Sequence, residues 1–127
     1  MESSNIRNME KTILVADDEP DHLLMVEALL TERGYTVVLA STGREAVEEA
    51  VQSRPNLILL DILMPEMDGT EVATVLKSDP ETQAIPIIFL TAVIVPEERR
   101  RVRNNATLVL AKPVKFNELL EAIEELS

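Results

Sequence analysis

The sequence predicts an α/β domain built on a parallel sheet that carries helices on both faces. Short aliphatic runs alternate with helix-period segments five times along the chain. The runs are almost continuously apolar rather than alternating with polar residues, as in strands buried on both sides. The 127 residues hold no internal repeat, low-complexity tract or Gly/Ser linker, so one core serves the whole length.

The elements follow in order. TILVA, residues 12–16, is the first strand, and PDHLLMVEALLTER, 20–33, is a helix stopped by Gly34. YTVVLA, 35–40, is the second strand. The helix in TGREAVEEAVQS opens with Thr42 and Glu45 at capping-box spacing and repeats Ala46/Ala50 and Val47/Val51 four apart. NLILL, 56–60, is the third strand, and Asp68 with Glu71 repeats the cap before Val72, Val75 and Leu76. PIIFLT, 86–91, and TLVLA, 107–111, are the fourth and fifth strands. The last helix carries Phe116, Leu119, Leu120, Ile123 and Leu126 on one face. Residues 1–11 read as an N-terminal extension and 12–127 as the domain.

Composition narrows the function. The chain has no Cys, which removes thiol catalysis and Cys-based zinc sites and suits a reducing compartment. It has no apolar run of membrane-spanning length and no signal-peptide core, so a cytoplasmic location without membrane contact is expected. Twelve basic residues against twenty-three acidic ones give a net charge of −11, which repels nucleic acid. Arg99, Arg100, Arg101 and Arg103 lack interleaved aromatics and read as a solvated helix face. With one Tyr, two Phe and no Trp, base stacking and flavin sandwiching are disfavoured. His22, alone near the start of the first helix, reads as a surface residue rather than a ligand.

Right-handed crossovers send the C-terminal ends of all parallel strands to one edge, where open α/β sheets place their ligands. That edge collects Asp17, Asp18 and Glu19 after the first strand and Asp61 after the third. Thr91 follows at the end of the fourth strand, and Lys112-Pro113 after the fifth. Carboxylates so placed repel one another and demand a counter-ion, either Lys112 or a bound cation. Hard oxygen donors with room for water suit Mg²⁺. A hydroxyl and an ammonium nearby suit a phosphoryl oxygen, and a carboxylate such as Asp61 serves as nucleophile in forming an aspartyl phosphate. Taken singly, Asp17 and Asp18 could equally cap the first helix, Thr91 end a strand and Lys112-Pro113 form a turn.

ILVADDEP, LILLDILMPEMDG, FLTA and LAKPV, in this order and spacing, resemble the receiver domain of bacterial two-component response regulators over residues 12–126. The resemblance implies a flavodoxin-like doubly wound (βα)5 three-layer sandwich with strand order 2-1-3-4-5. It implies that Asp61 is the phosphoacceptor, charged from the phosphohistidine of a sensor histidine kinase or a histidine phosphotransfer protein. Mg²⁺, with Mn²⁺ as a substitute, would be held by Asp17, Asp18, Asp61 and the backbone carbonyl of Leu63. Thr91 would be the switch hydroxyl, followed by the small Ala92; Lys112 would pair with Asp61 or its phosphate, and the bond to Pro113 would be cis. Such a domain is no enzyme beyond its own phosphorylation and dephosphorylation. It acts as a monomer or weak homodimer, and its 92–126 surface meets a downstream protein.

Three departures from the family pattern carry expectations. Val109 stands where many members have an aromatic ring, so a backbone and helix movement rather than a ring rotation is expected to carry the switch. AVIVPEERRRVRN is one residue short and offers only Val102 to a core, which predicts a short helix, with Asn105 at a position that favours the left-handed conformation. Leu63 and Val93 place no polar group to position water, which predicts a long-lived phosphorylated state. A haloacid-dehalogenase-like phosphatase would want an Asp at position 63, and a flavodoxin-like cofactor binder would want a phosphate-cradling loop in place of ADDEPD.

Overall fold

The structure is a computed structural model that describes residues 11–91, 101–104, 107–111 and 115–126. Strands β1 (Thr12–Ala16), β2 (Thr36–Ala40), β3 (Leu57–Asp61), β4 (Ile87–Thr91), β5 (Arg101–Asn104) and β6 (Thr107–Ala111) form one sheet. Helices α1 (Pro20–Glu32), α2 (Gly43–Ser53), α3 (Gly69–Lys77) and α4 (Phe116–Leu126) cover it. The spatial order is β2-β1-β3-β4-β6-β5. The five strands expected from the sequence are parallel neighbours in the expected order, with β6 as the fifth.

Period-two alternation splits the core into two layers. Ile13, Val15, Leu57, Leu59, Ile88, Leu90 and Leu110 pack with Leu23, Val26 and Leu30 of α1 and Leu119, Ala122 and Ile123 of α4. Leu14, Ala16, Ile58, Leu60 and Ile87 pack on the opposite side with Ala46 and Ala50 of α2 and Val72 and Leu76 of α3. The four inner apolar residues of β3 are fully buried, which explains their unbroken aliphatic character.

Helix ends follow local chemistry. Gly34, at φ 96°, closes α1: its N–H donates to the Thr31 carbonyl at 3.0 Å, and the Tyr35 N–H donates to the Leu30 carbonyl at 3.2 Å. Asp68 and Glu71 form a reciprocal capping box at the start of α3. At α2 only half of the expected box forms. Thr42 Oγ1 accepts from the Glu45 N–H at 3.1 Å, whereas Glu45 Oε1 turns to the Ser41 N–H at 2.8 Å and the Ser41 hydroxyl at 3.0 Å.

One element differs from expectation. Residues 101–104 form an antiparallel edge strand on β6, from Arg101↔Leu110 to Asn104↔Thr107, where a helix was predicted. A segment with a single apolar residue, Val102, gains little by presenting a helical face to the core. Pairing its backbone with the open edge of β6 satisfies that edge instead. The remaining residues of the predicted helix, 93–100 among them, and the N-terminal extension up to residue 10 lie outside the described residues.

Candidate functional site

The backbone brings the site together through strand register. Ala16 of β1 pairs with Leu60 of β3, so Asp17 and Asp61 follow at the same level on neighbouring strands. The Asp17 N–H continues the ladder to the Ala40 carbonyl at 3.1 Å, and the Ile62 N–H reaches the Leu90 carbonyl at 2.9 Å. On the other side Asp61 pairs with Leu90, and Thr91 pairs with Ala111. Thr91 and the residue before Lys112 are thereby carried to the same sheet edge. Alternation then fixes the side: Ile13 and Val15 face α1, so Asp17, two residues on, belongs to that side as well.

Asp17, Asp18 and Asp61 each offer a carboxylate oxygen within 4.8 Å of the other two. Asp17 is 1% exposed and Asp61 3%, whereas Asp18 is open to solvent. The sequence placed Asp61 just after the third strand; it is the last residue of β3, and it is buried. Asp61 Oδ1 accepts from the Leu63 N–H at 3.3 Å, while the Leu63 side chain points outward and is 55% exposed. Asp17 Oδ1 accepts from the Glu19 N–H at 3.0 Å, and Asp17 Oδ2 is in close contact with His22 Nδ1. The residue that caps α1 is Glu19, and it makes no side-chain cap bond, so helix capping does not account for the pair Asp17-Asp18.

Carboxylate oxygens within 4.8 Å of one another repel when ionised. Three such groups sharing one pocket store repulsion that a divalent cation relieves. Their oxygens are hard donors, and the solvent-open Asp18 side leaves room for water, so the donor set fits Mg²⁺ and offers nothing to a soft metal.

Of the residues predicted from the sequence, the fold thus unites Asp17, Asp18 and Asp61 and brings the Leu63 backbone beside them. Thr91 reaches the edge through its backbone, and Val109 lies in β6 opposite Phe89. Ala92, Lys112 and Pro113 lie outside the described residues. Two contributors escaped the sequence reading. His22 is no plain surface residue, since its side chain is 21% exposed and bound to Asp17. Gly69 abuts the acceptor strand: a Cβ there would stand 2.4 Å from the Asp61 carbonyl oxygen. The placing of His22 in the first turn of α1, directly above the side to which Asp17 points, was the available signal.

Known proteins are similar to this chain in sequence and fold. DivK of Brucella anthropi, a polar-differentiation response regulator, is 32% identical over 117 residues that span 91% of this chain and 95% of the relative. The receiver domain of a sensor histidine kinase from Pseudomonas aeruginosa, solved with a magnesium ion coordinated in its active-site cleft, superposes with a TM-score of 0.78 at 30% identity. That match covers 91% of this chain and 96% of that one. The response regulator TrrA of Thermotoga maritima, solved in complex with Mg²⁺ and BeF, superposes with a TM-score of 0.76 at 31% identity, covering 92% and 99%. With residues 13–124 matching the response regulator receiver domain, the chain belongs to that family, the phosphoryl-accepting signalling modules of two-component systems.

Proposed function

We propose that Asp61 is the phosphoacceptor and that Asp17, Asp18, Asp61 and the Leu63 carbonyl hold Mg²⁺ beside it, with Mn²⁺ as a substitute. The convergence of three carboxylates at one strand edge carries this reading. Bound there, Mg²⁺ would supply charge neutralisation for the transferring phosphoryl group. An Asp61 oxygen forms the O–P bond while the P–N bond of the donor phosphohistidine breaks, and the electron pair stays on the departing imidazole nitrogen. The Leu63 N–H holds Asp61 Oδ1 and so orients the attacking carboxylate. Thr91 and Lys112 donate to the phosphoryl oxygens, Pro113 in its cis form aims Lys112, and Ala92 leaves space for Thr91 to move.

The product adds a local charge near −2, and the chain beyond β4 follows Thr91 to accommodate it, with Val109 leaving that movement to the backbone. Receiver domains work with histidine kinases and downstream targets. For this chain the donor is a sensor histidine kinase or a histidine phosphotransfer protein, and the target is a protein met through the 92–126 surface. The domain spans 12–127 after an extension at 1–11. It acts as a cytoplasmic monomer or weak homodimer without nucleic acid, and turns over no substrate besides its own phosphate. Among the described residues no helix is long and apolar enough to cross a membrane.

Incubation with acetyl phosphate tests the reading by intact-mass spectrometry. A single phosphoryl adduct that requires Mg²⁺ and disappears in Asp61→Asn is the expected result. An adduct that survives in Asp61→Asn would overturn the assignment.

A further inference from the structure

We propose that His22 is a positioning residue that fixes the carboxylate of Asp17 for metal binding, an inference that rests on the Mg²⁺ site described above. Pro20 at the first helical position sets where α1 begins and thereby puts His22 in its first turn, over the side of the sheet to which Asp17 points. Asp17 is 1% exposed and is gripped at both oxygens: the Glu19 N–H donates to Oδ1 at 3.0 Å, and His22 Nδ1 meets Oδ2. An ionised carboxylate only accepts, so Nδ1 carries the proton in this pair.

His22 is not itself a ligand. Among the described residues, the ligand atoms that gather within 4.8 Å of one another belong to Asp17, Asp18 and Asp61 and do not include the His22 imidazole, which meets Asp17 Oδ2 instead. A carboxylate held at one oxygen still swings about its last torsion, whereas one held at both presents a fixed lone pair to the cation. Outer partners of this kind set ligand orientation, and their loss typically weakens metal affinity about 10–100-fold.

A histidine that merely satisfied a buried carboxylate would govern folding, not Mg²⁺ affinity, and the identity of the replacement separates the two roles. Asn carries its amide nitrogen at the same reach as Nδ1, while Gln carries it at the reach of Nε2 and Leu carries none. Titration calorimetry of the full chain with MgCl₂ is the test, with melting curves in EDTA to check the fold of each variant. His22→Leu and His22→Gln are expected to raise the dissociation constant by about ten-fold or more, and His22→Asn to restore a value close to wild type. Wild-type affinity in a folded His22→Leu variant would overturn the proposal, as would His22→Asn binding no better than His22→Leu. A wild-type chain that binds no Mg²⁺ would sink the metal site itself and this inference with it.

Discussion

Gly69 shows how far a single residue's lack of a side chain reaches into the site. Its N–H donates to the Ile62 carbonyl at 2.9 Å, and an added Cβ would lie 2.4 Å from the Asp61 carbonyl oxygen and 2.9 Å from Ile62 Cα. Both are backbone atoms that no side-chain rotation clears. Gly43 makes a matching approach, with its Cβ position 2.4 Å from the Met67 carbonyl oxygen, so two helix starts pin the loop after β3 from either side. Gly69→Ala is therefore expected to destabilise the fold by about 1–3 kcal/mol in urea titration. It should also slow labelling by acetyl phosphate, because Asp61 must shift with its backbone. Unchanged labelling in the folded variant would show that the contact does not govern the acceptor. The carboxylates were legible in the sequence because Asp17-Asp18 and Asp61 stand at the ends of aliphatic runs. Gly69 was not, since its contact arises only where separate elements meet, and His22 gave only the signal of its place in the first turn of α1.

Among the elements, α3 begins directly after the site loop, and its cap carries a pH signature. The Thr70 hydroxyl, at 2.6 Å, and then the Glu71 N–H, at 3.0 Å, hold the Asp68 carboxyl below its ordinary value of 3.8. A depressed native value means that the unfolded chain takes up the proton first as pH falls. The ionised cap thus contributes fully above about 3.8 and is lost as pH drops through the lower native value. Asp68→Ala is expected to melt below wild type at neutral pH, with the gap narrowing in acid. A gap constant across that range would remove the cap from the explanation. Local chemistry of this kind made the caps of α2 and α3 readable, Thr42-Glu45 and Asp68-Glu71 included. At α2 the box is half-formed, because Glu45 Oε1 accepts from both the N–H and the hydroxyl of Ser41. The strand at 101–104 was not readable, because it is defined by an edge of β6 that no neighbouring residue announces. Glu66, with φ 67° and the Met67 N–H reaching the Pro65 carbonyl at 2.7 Å, belongs to the same class: a tight turn set by the loop's two anchored ends.

Across the whole molecule, the two-layer core and the −11 charge act together on one pocket. The topology was legible because five aliphatic runs separated by helices admit few right-handed arrangements, and all of them deliver the strand ends to one edge. That edge concentrates like charge that the fold must tolerate before any cation arrives. Wild type should therefore be stabilised by Mg²⁺ beyond the effect of NaCl at equal ionic strength. At ten times the dissociation constant the gain is about 1.4 kcal/mol, roughly 5 °C in melting temperature for a domain of this size. Asp18→Asn separates repulsion from ligation. It removes one of the three charges, so the metal-free variant should melt no lower than metal-free wild type, while its Mg²⁺-dependent shift should shrink sharply. The solvent exposure of Asp18 keeps the first effect small and leaves the second intact, since water screens a charge without replacing a ligand. A variant that keeps the full magnesium shift would mean that the cation binds elsewhere on this acidic surface.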